Sequence, residues 1–189
     1  VGGHVYRRAA EVHPALSHDQ PTLLFLAGGA SGAPRFELAD AATAGALSVA
    51  RAHRGAASGD IDRDGDVDLL LTVQDGPPVL LLNRRGEQQN SLFVRLVGRA
   101  PNREAVGALL HLRVGGRTLT RQVTRSGGYL SSSDIVVHFG LGAAPAADSL
   151  RVRWPSGQRE HLDRLEAGNL YRITEGEGRA VVERRLGGP

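Results

Sequence analysis

Short runs of apolar residues recur along the chain and are separated by stretches rich in glycine, proline, asparagine and aspartate. Each run is four to seven residues long, and such runs between turn-forming residues are typical of β-strands. The pattern therefore predicts an all-β protein. The predicted strands are Thr22–Ala27, Val67–Val73, Val79–Leu82, Leu92–Val97, Leu109–Val114, Leu119–Val123, Ile135–Phe139, Leu150–Trp154 and Leu170–Ile173.

Two pairs of runs predict β-hairpins. Gly115–Gly116, a two-residue connection that tolerates positive φ, joins Leu109–Val114 to Arg117–Val123. Apolar and polar residues alternate along these runs, which favours antiparallel sheets with one solvent-exposed face. The second predicted hairpin joins Leu150–Trp154 to Gln158–Leu162 through Pro155–Ser156–Gly157, with Trp154 in the core.

Three segments are less regular. The only helical candidate is Asp40–Arg51, which is rich in alanine but interrupted by Gly45. Asn83–Asn90 is polar and aperiodic, and it predicts a domain boundary. Glu175–Pro189 is charged, with Val181–Val182 as its apolar feature, and is expected to be either an extra strand or a frayed tail.

Composition narrows the class of protein. Cysteine is absent, which excludes disulfides and thiolate chemistry, and no apolar run approaches the roughly 18 residues that span a membrane. Methionine is also absent, so we expect a fragment of a longer protein. All 23 basic residues are arginine, which is typical of a bacterium with a GC-rich genome.

Charge is unevenly distributed along the chain. Residues 1–75 hold six arginines and ten acidic residues, whereas residues 76–189 hold 17 arginines and ten acidic residues. The basic half could attract an anionic partner or simply present solvated arginines on strand faces. Nucleic-acid-binding proteins usually combine basic clusters with aromatic residues that stack on bases. Aromatic residues make up only 4% of this chain and no such cluster occurs, so we expect no nucleic-acid binding.

The acidic residues of the first half concentrate in one loop, within the segment GDIDRDGDVDLLL at Gly59–Leu71. Five aspartates in nine residues would repel one another without a cation. Carboxylates at alternate positions of a tight loop converge on one point, and Ca²⁺ takes six to eight oxygen ligands, so the spacing predicts a calcium site. The predicted metal residues are Asp60, Asp62, Asp64 and Asp68 through their carboxylates and Asp66 through its backbone carbonyl, with Gly65 at the turn.

This loop is not an EF-hand. Position 12 of the loop is Leu71, where an EF-hand has a bidentate glutamate, and Val67–Val73 reads as a strand rather than a helix. The alternative interpretation is a solvated acidic turn, because aspartate and glycine are also common in turns.

The stretch RGAASGDIDRDGDVDLLLT at Arg54–Thr72 resembles an FG-GAP/VCBS-type repeat, the calcium-binding blade unit of integrin-like β-propellers. The stretches Gly2–Arg8 and Gln20–Asp40 are similar to the end of a preceding blade. This resemblance implies that upstream propeller blades are partners missing from this chain.

Downstream residues resemble the ASPIC/UnbV domain of cartilage acidic protein-like proteins. They are Asn102–Val123, Ser126–Gly142, Asp148–Gln158 and Leu170–Gly176. The two resemblances imply a propeller segment over 1–83, an antiparallel β-sandwich-like ASPIC/UnbV domain over 84–176 and a C-terminal tail over 177–189. They also imply an extracytoplasmic location: secreted, periplasmic or at the cell surface.

No catalytic residue is predicted. Ser131–Ser133, Asp134 and His138 could be combined into a Ser/His/Asp set, but no GxSxG elbow precedes them, and the serines are expected to satisfy backbone groups. Tyr129 is expected to pack with its hydroxyl hydrogen-bonded. The seven histidines show no zinc-binding spacing.

Three functions remain open from the sequence. The first is a non-catalytic, calcium-stabilised binding, adhesion or scaffolding module with a glycan or protein ligand. The second is an accessory part of an enzyme that acts on glycans or a biosynthetic intermediate. The third is a structural cap that closes the last propeller blade.

Overall fold

The computed structural model describes residues 3, 6–28, 35–84 and 89–187, and these residues form an all-β fold with two short helices and one short 3-10 turn. None of the sheets built from the described residues closes on itself. The all-β, sandwich-like fold class predicted from the sequence is thereby confirmed. Parts of the preceding-blade resemblance, at 4–5 and 29–34, and the centre of the polar segment, at 85–88, lie outside the described residues.

The chain divides into two compact units. The first comprises Val1–Ala57, Leu70–Leu81 and Gly128–Ser131, and the second comprises Ser58–Leu69, Leu82–Gly127 and Ser132–Pro189. The acidic loop therefore groups with the second unit, although the sequence assigned it to a propeller segment over 1–83. That segment remains a prediction.

The first unit contains two short helices, the strands β1, β2 and β5, and most of β3 and β4. Asp40 caps the second helix by accepting a hydrogen bond from the Thr43 N–H at 2.7 Å, which begins the predicted helical segment at the expected residue. Strands β3, β4 and β5 form one sheet and β1 and β2 another. The elements are α1 Ala9–Val12, β1 Phe25–Gly28, β2 Arg35–Leu38, α2 Ala41–Ala44, the 3-10 turn Gly45–Ser48, β3 His53–Gly59, β4 Asp68–Val73 and β5 Val79–Leu81.

The hairpin of β1 and β2 leaves its apolar side chains in solvent. Phe25 lies opposite Leu38 and Ala27 opposite Phe36, so these residues share one face. Phe25, Phe36 and Leu38 are each more than half exposed. An uncovered apolar face of this kind is unusual in a soluble domain.

The second unit is a sandwich of two four-stranded sheets. One sheet has the order β12-β11-β7-β8 and the other β15-β14-β6-β9. The strands are β6 Asn90–Val97, β7 Leu109–Val114, β8 Arg117–Gln122, β9 Val137–Gly142, β10 Ala146–Ala147, β11 Ser149–Arg153, β12 Arg159–Leu162, β13 Leu165–Glu166, β14 Asn169–Thr174 and β15 Ala180–Arg185.

The core of this unit is built from alternate residues of the strands in both sheets. Leu110 and Leu112 of β7, together with Leu150 of β11, face Leu92 and Val94 of β6 and are fully buried. Trp154 is 2% exposed, which confirms its predicted core position. Both predicted hairpins are present, as β7–β8 and β11–β12.

Two features of the second unit go beyond the predicted pattern. Strands β6 and β14 pair in parallel, with Leu92 opposite Asn169 and Val97 opposite Thr174. The C-terminal segment, for which a strand and a frayed tail were both expected, forms β15 and pairs with β14. Residues 90–97 and 169–185 thus share one sheet.

A candidate metal site in the acidic loop

The acidic loop connects the end of β3 to the beginning of β4. Its backbone enters the left-handed region twice, at Arg63 with φ of 69° and at Gly65 with φ of 104°. Glycine adopts the second conformation without strain, as the sequence predicted for this position. These reversals wind the loop tightly enough to bring separated carboxylates together.

Three of the five predicted metal residues converge. Asp60, Asp62 and Asp68 each offer a carboxylate oxygen, and these oxygens lie within 4.8 Å of one another. Asp64 lies outside this group, and its Oδ1 accepts a hydrogen bond from the Asp66 N–H at 3.0 Å. Asp66 is buried but also lies outside the group.

Asp68 supports the loop as well as facing the cluster. It is fully buried. Its Oδ2 accepts a hydrogen bond from the Ile61 N–H at 2.8 Å, and its Oδ1 accepts one from the Asn83 N–H at 2.9 Å. Each carboxylate oxygen has further lone pairs, so these bonds leave capacity for a cation.

Asp60 is the member of the cluster whose carboxylate has a buried oxygen with unfilled hydrogen-bonding capacity. Its side chain is 5% exposed, and its Oδ1 has no hydrogen-bond partner among the described residues. Its Oδ2 lies 3.4 Å from Arg184 Nη2. Burial raises the pKa of Asp60, while the N–H groups of Gly65 and Arg63 and the Arg184 guanidinium act in the opposite direction. A buried, unpartnered carboxylate oxygen costs free energy unless a cation or a proton neutralises it.

The loop is anchored to the sheet β15-β14-β6-β9 within the second unit. Ser91 Oγ, in β6, donates a hydrogen bond to the Gly65 carbonyl at 2.6 Å. The Gly187 N–H, just after β15, donates to the Arg63 carbonyl at 3.1 Å. Together with Arg184, these contacts tie the loop to the first and last strands of the sandwich.

The donor set fits a hard divalent cation. Carboxylate and carbonyl oxygens suit Ca²⁺ and Mg²⁺, whereas zinc and copper prefer nitrogen and sulfur ligands. Three converging carboxylates match the many-oxygen coordination of Ca²⁺ better than that of Mg²⁺, which binds through one or two carboxylates and retains several waters.

The residues considered for a Ser/His/Asp set are engaged elsewhere. Ser131 Oγ accepts a hydrogen bond from the Ala56 N–H at 3.0 Å, and Ser133 Oγ accepts one from the Ser58 N–H at 3.1 Å. The prediction that Ser131–Ser133 satisfy backbone groups is confirmed for Ser131 and Ser133. The ring of His138 packs on Phe93 with ring centres 4.8 Å apart.

The prediction for Tyr129 is wrong. Its side chain was expected to pack with a bonded hydroxyl, but the residue is 79% exposed. It lies in a short turn closed by a bridge between Gly128 and Ser131, and this turn directs its ring into solvent.

The described geometry defines a β-sandwich unit with a carboxylate cluster held in a loop on one of its sheets. Residues 98–180, all but 128–131 of which belong to this unit, match the family described as ASPIC and UnbV. This match confirms the ASPIC/UnbV part of the resemblance, while the FG-GAP/VCBS part remains a prediction. No curated protein is detectably similar in sequence to this chain.

The family match begins at residue 98, after the acidic loop, and ends at residue 180, the first residue of β15. Residues 58–69 and 181–187, which build and anchor the cluster, lie outside it. Among the described residues, no helix combines the length and apolarity needed to cross a membrane.

Proposed function

We propose that this chain is a non-catalytic, calcium-stabilised binding or scaffolding module that works outside the cytoplasm. The observation that carries the proposal is the convergence of Asp60, Asp62 and Asp68, with an unpartnered Asp60 oxygen buried among them. In this account Ca²⁺ neutralises the cluster and fixes the loop to the sandwich.

The hydrogen bonds that hold the loop to the sandwich favour a stabilising role for the metal over a catalytic one. Calcium at Asp60 and Asp68 would hold a segment that is hydrogen-bonded to both β6 and the residue after β15. Asp68 is buried and the side chain of Asp60 is 5% exposed, so the metal would sit against the core of the sandwich. A structural role follows from that placement.

Extracellular calcium modules bind Ca²⁺ with a Kd of about 0.1–1 mM, and a site of this kind suits an extracytoplasmic protein. The FG-GAP/VCBS resemblance supports the same location and implies that further propeller blades contact the first unit. The uncovered apolar face of Phe25, Phe36 and Leu38 is consistent with such a neighbour.

Thermal melting in EDTA and in excess Ca²⁺ tests the proposal. At a Ca²⁺ concentration of 100 times Kd, the native state gains about 2.7 kcal/mol, which raises Tm by roughly 5–10 °C in a chain of this size. Mg²⁺ at the same concentration should produce a smaller shift. An identical melting curve in EDTA and Ca²⁺ would refute calcium stabilisation.

A further inference from the structure

The outer face of the sheet β12-β11-β7-β8 is strongly basic. Because the inner residues of these strands fill the core, the alternate residues point to solvent. We name this surface the arginine face, and it consists of His111, Arg113, Arg151, Arg153, Arg159 and His161.

The strand register places these side chains in rows. His161 of β12, Arg151 of β11 and His111 of β7 lie directly opposite one another across three strands. In the next row Arg153 lies directly opposite Arg159. Directly opposed residues have Cβ atoms about 5 Å apart, and like charges at that spacing repel each other.

The arginine face lacks the neutralising partners found elsewhere in the second unit. Among the described residues, no ion pair or hydrogen bond involves the guanidinium group of any of its four arginines. In the part of the chain that the structure describes, the one ion pair on this face joins Asp163 Oδ1 to His161 Nε2, which lie 3.6 Å apart. Arginines elsewhere do have acidic partners: Arg95 with Glu183, Arg125 with Glu104, Arg164 with Glu166 and Arg179 with Glu177.

The face also has the shape and hydrogen-bonding groups for an extended ligand. A groove of about 510 Å³ runs over it, lined by both histidines, three of the arginines and Glu160. Thr118, Thr120 and Gln122 of β8 continue the polar surface to the far edge of the sheet. His111 Nδ1 and Thr120 Oγ1 are 2.9 Å apart, which holds the histidine ring between Arg151 and Thr120 in the row.

We propose that the arginine face binds a linear polysaccharide bearing carboxylate or sulfate groups. Guanidinium groups pair bidentately with such anions, and the neighbouring hydroxyl and amide groups suit sugar hydroxyls. The described outer positions of this sheet carry no Phe, Tyr or Trp on which nucleic-acid bases would stack. Leu109 is the one large apolar residue at these positions, which disfavours insertion of the face into a membrane. This inference rests on the proposed function of the chain as a binding module.

Binding of the full chain to immobilised polygalacturonate and dextran sulfate, at about 0.15 M NaCl, tests this inference. The variant Arg151→Gln/Arg153→Gln/Arg159→Gln removes three charges from the face. The matched control Arg125→Gln/Arg164→Gln/Arg179→Gln removes three charges from paired positions elsewhere in the same unit. The face variant should bind at least about tenfold more weakly, and the control should stay within about threefold of the wild type.

The inference is overturned if the wild type binds neither polysaccharide, or if both variants lose affinity equally. Tighter binding to single-stranded DNA or to vesicles of phosphatidylcholine and phosphatidylglycerol would assign the face to another partner and also overturn it. The Ca²⁺-dependent rise in Tm, measured on the same samples, separates the two proposals. A retained Tm shift without polysaccharide binding rejects this inference alone, and a missing shift rejects the calcium proposal.

Discussion

Asp62 and Asp68 occupy the same carboxylate cluster but have different neighbours. Asp62 is exposed, and it accepts a hydrogen bond at 3.4 Å from the Asp64 N–H within the same loop. Asp68 is buried and accepts hydrogen bonds from Ile61 and Asn83. The two residues should therefore separate metal binding from folding.

We expect Asp62→Asn to weaken Ca²⁺ binding while leaving the free energy of unfolding in EDTA nearly unchanged. Asp68→Ala should lower stability even in EDTA by about 2 kcal/mol, because two partly buried N–H groups lose their acceptor. Urea unfolding in EDTA and in Ca²⁺ measures both effects. Equal losses in EDTA for the two variants would contradict these separate roles.

His138 carries a pH-dependent part of the stability. Burial lowers its pKa from the ordinary value of 6.5, and the Arg121 charge adds to the effect. At pH values between the lowered pKa and about 6.5, His138 binds more protons in the unfolded chain than in the folded one. The free energy of unfolding therefore decreases as the pH falls below 6.5. Above that pH the effect vanishes.

Replacing His138 with phenylalanine keeps a ring beside Phe93 and removes this titration. The free energy of unfolding should fall less steeply between pH 7 and pH 5 in the variant than in the wild type. Urea titrations at several pH values provide the comparison, and the other titrating groups are common to both proteins. Parallel pH profiles would show that His138 is not responsible.

At the scale of elements, the β7–β8 hairpin depends on the backbone of its two-residue turn. Gly115 and Gly116 have φ of 53° and 75°, and a Cβ at either position would meet open space. A substitution there is therefore limited by backbone strain rather than by a clash.

We expect Gly116→Ala to lower the free energy of unfolding by about 1–2 kcal/mol. Gly127→Ala is the matched control, because it also meets open space but has φ outside the left-handed region. Urea unfolding of the two variants should differ by about that amount. A control as unstable as Gly116→Ala would argue against strain as the cause.

Local patterns account for the elements that could be predicted and for those that could not. Each of the nine predicted strands overlaps an observed one, because alternation and turn residues act over a few positions. Strand β3, with the sequence HRGAASG, has no apolar alternation and gave no such signal. The parallel pairing of β6 with β14 joins residues about 77 apart in the chain, which a local pattern cannot specify.

The same distinction applies to the candidate site. The aspartate spacing lies within nine residues, so the cluster could be read from the chain. The tether from Arg184 to Asp60 spans 124 positions, and the bond from Ser91 to Gly65 spans 26. Sequence also could not show that Asp64 would form a turn while Asp60, Asp62 and Asp68 converge.

At the scale of the whole second unit, calcium should stabilise more than the loop itself. The Ile61 and Asn83 amides bond to Asp68, and the Gly187 amide bonds to Arg63. An amide that exchanges only after the metal has dissociated is protected by metal binding. Ca²⁺ at 100 times Kd should therefore slow the hydrogen exchange of these amides about a hundredfold. The β11–β12 hairpin, on the other sheet, provides the internal reference, and uniform slowing at both places would indicate only global stabilisation.

Calorimetric titration of the EDTA-stripped full chain shows whether one Ca²⁺ binds at Asp60, Asp62 and Asp68. We expect one calcium per chain, with Asp60→Asn and Asp62→Asn each abolishing binding or weakening it at least about tenfold. The Asp163→Asn variant, which alters an exposed carboxylate outside the loop, should bind like the wild type. A chain that takes up no Ca²⁺, or one that binds equally well after either loop substitution, would contradict the account.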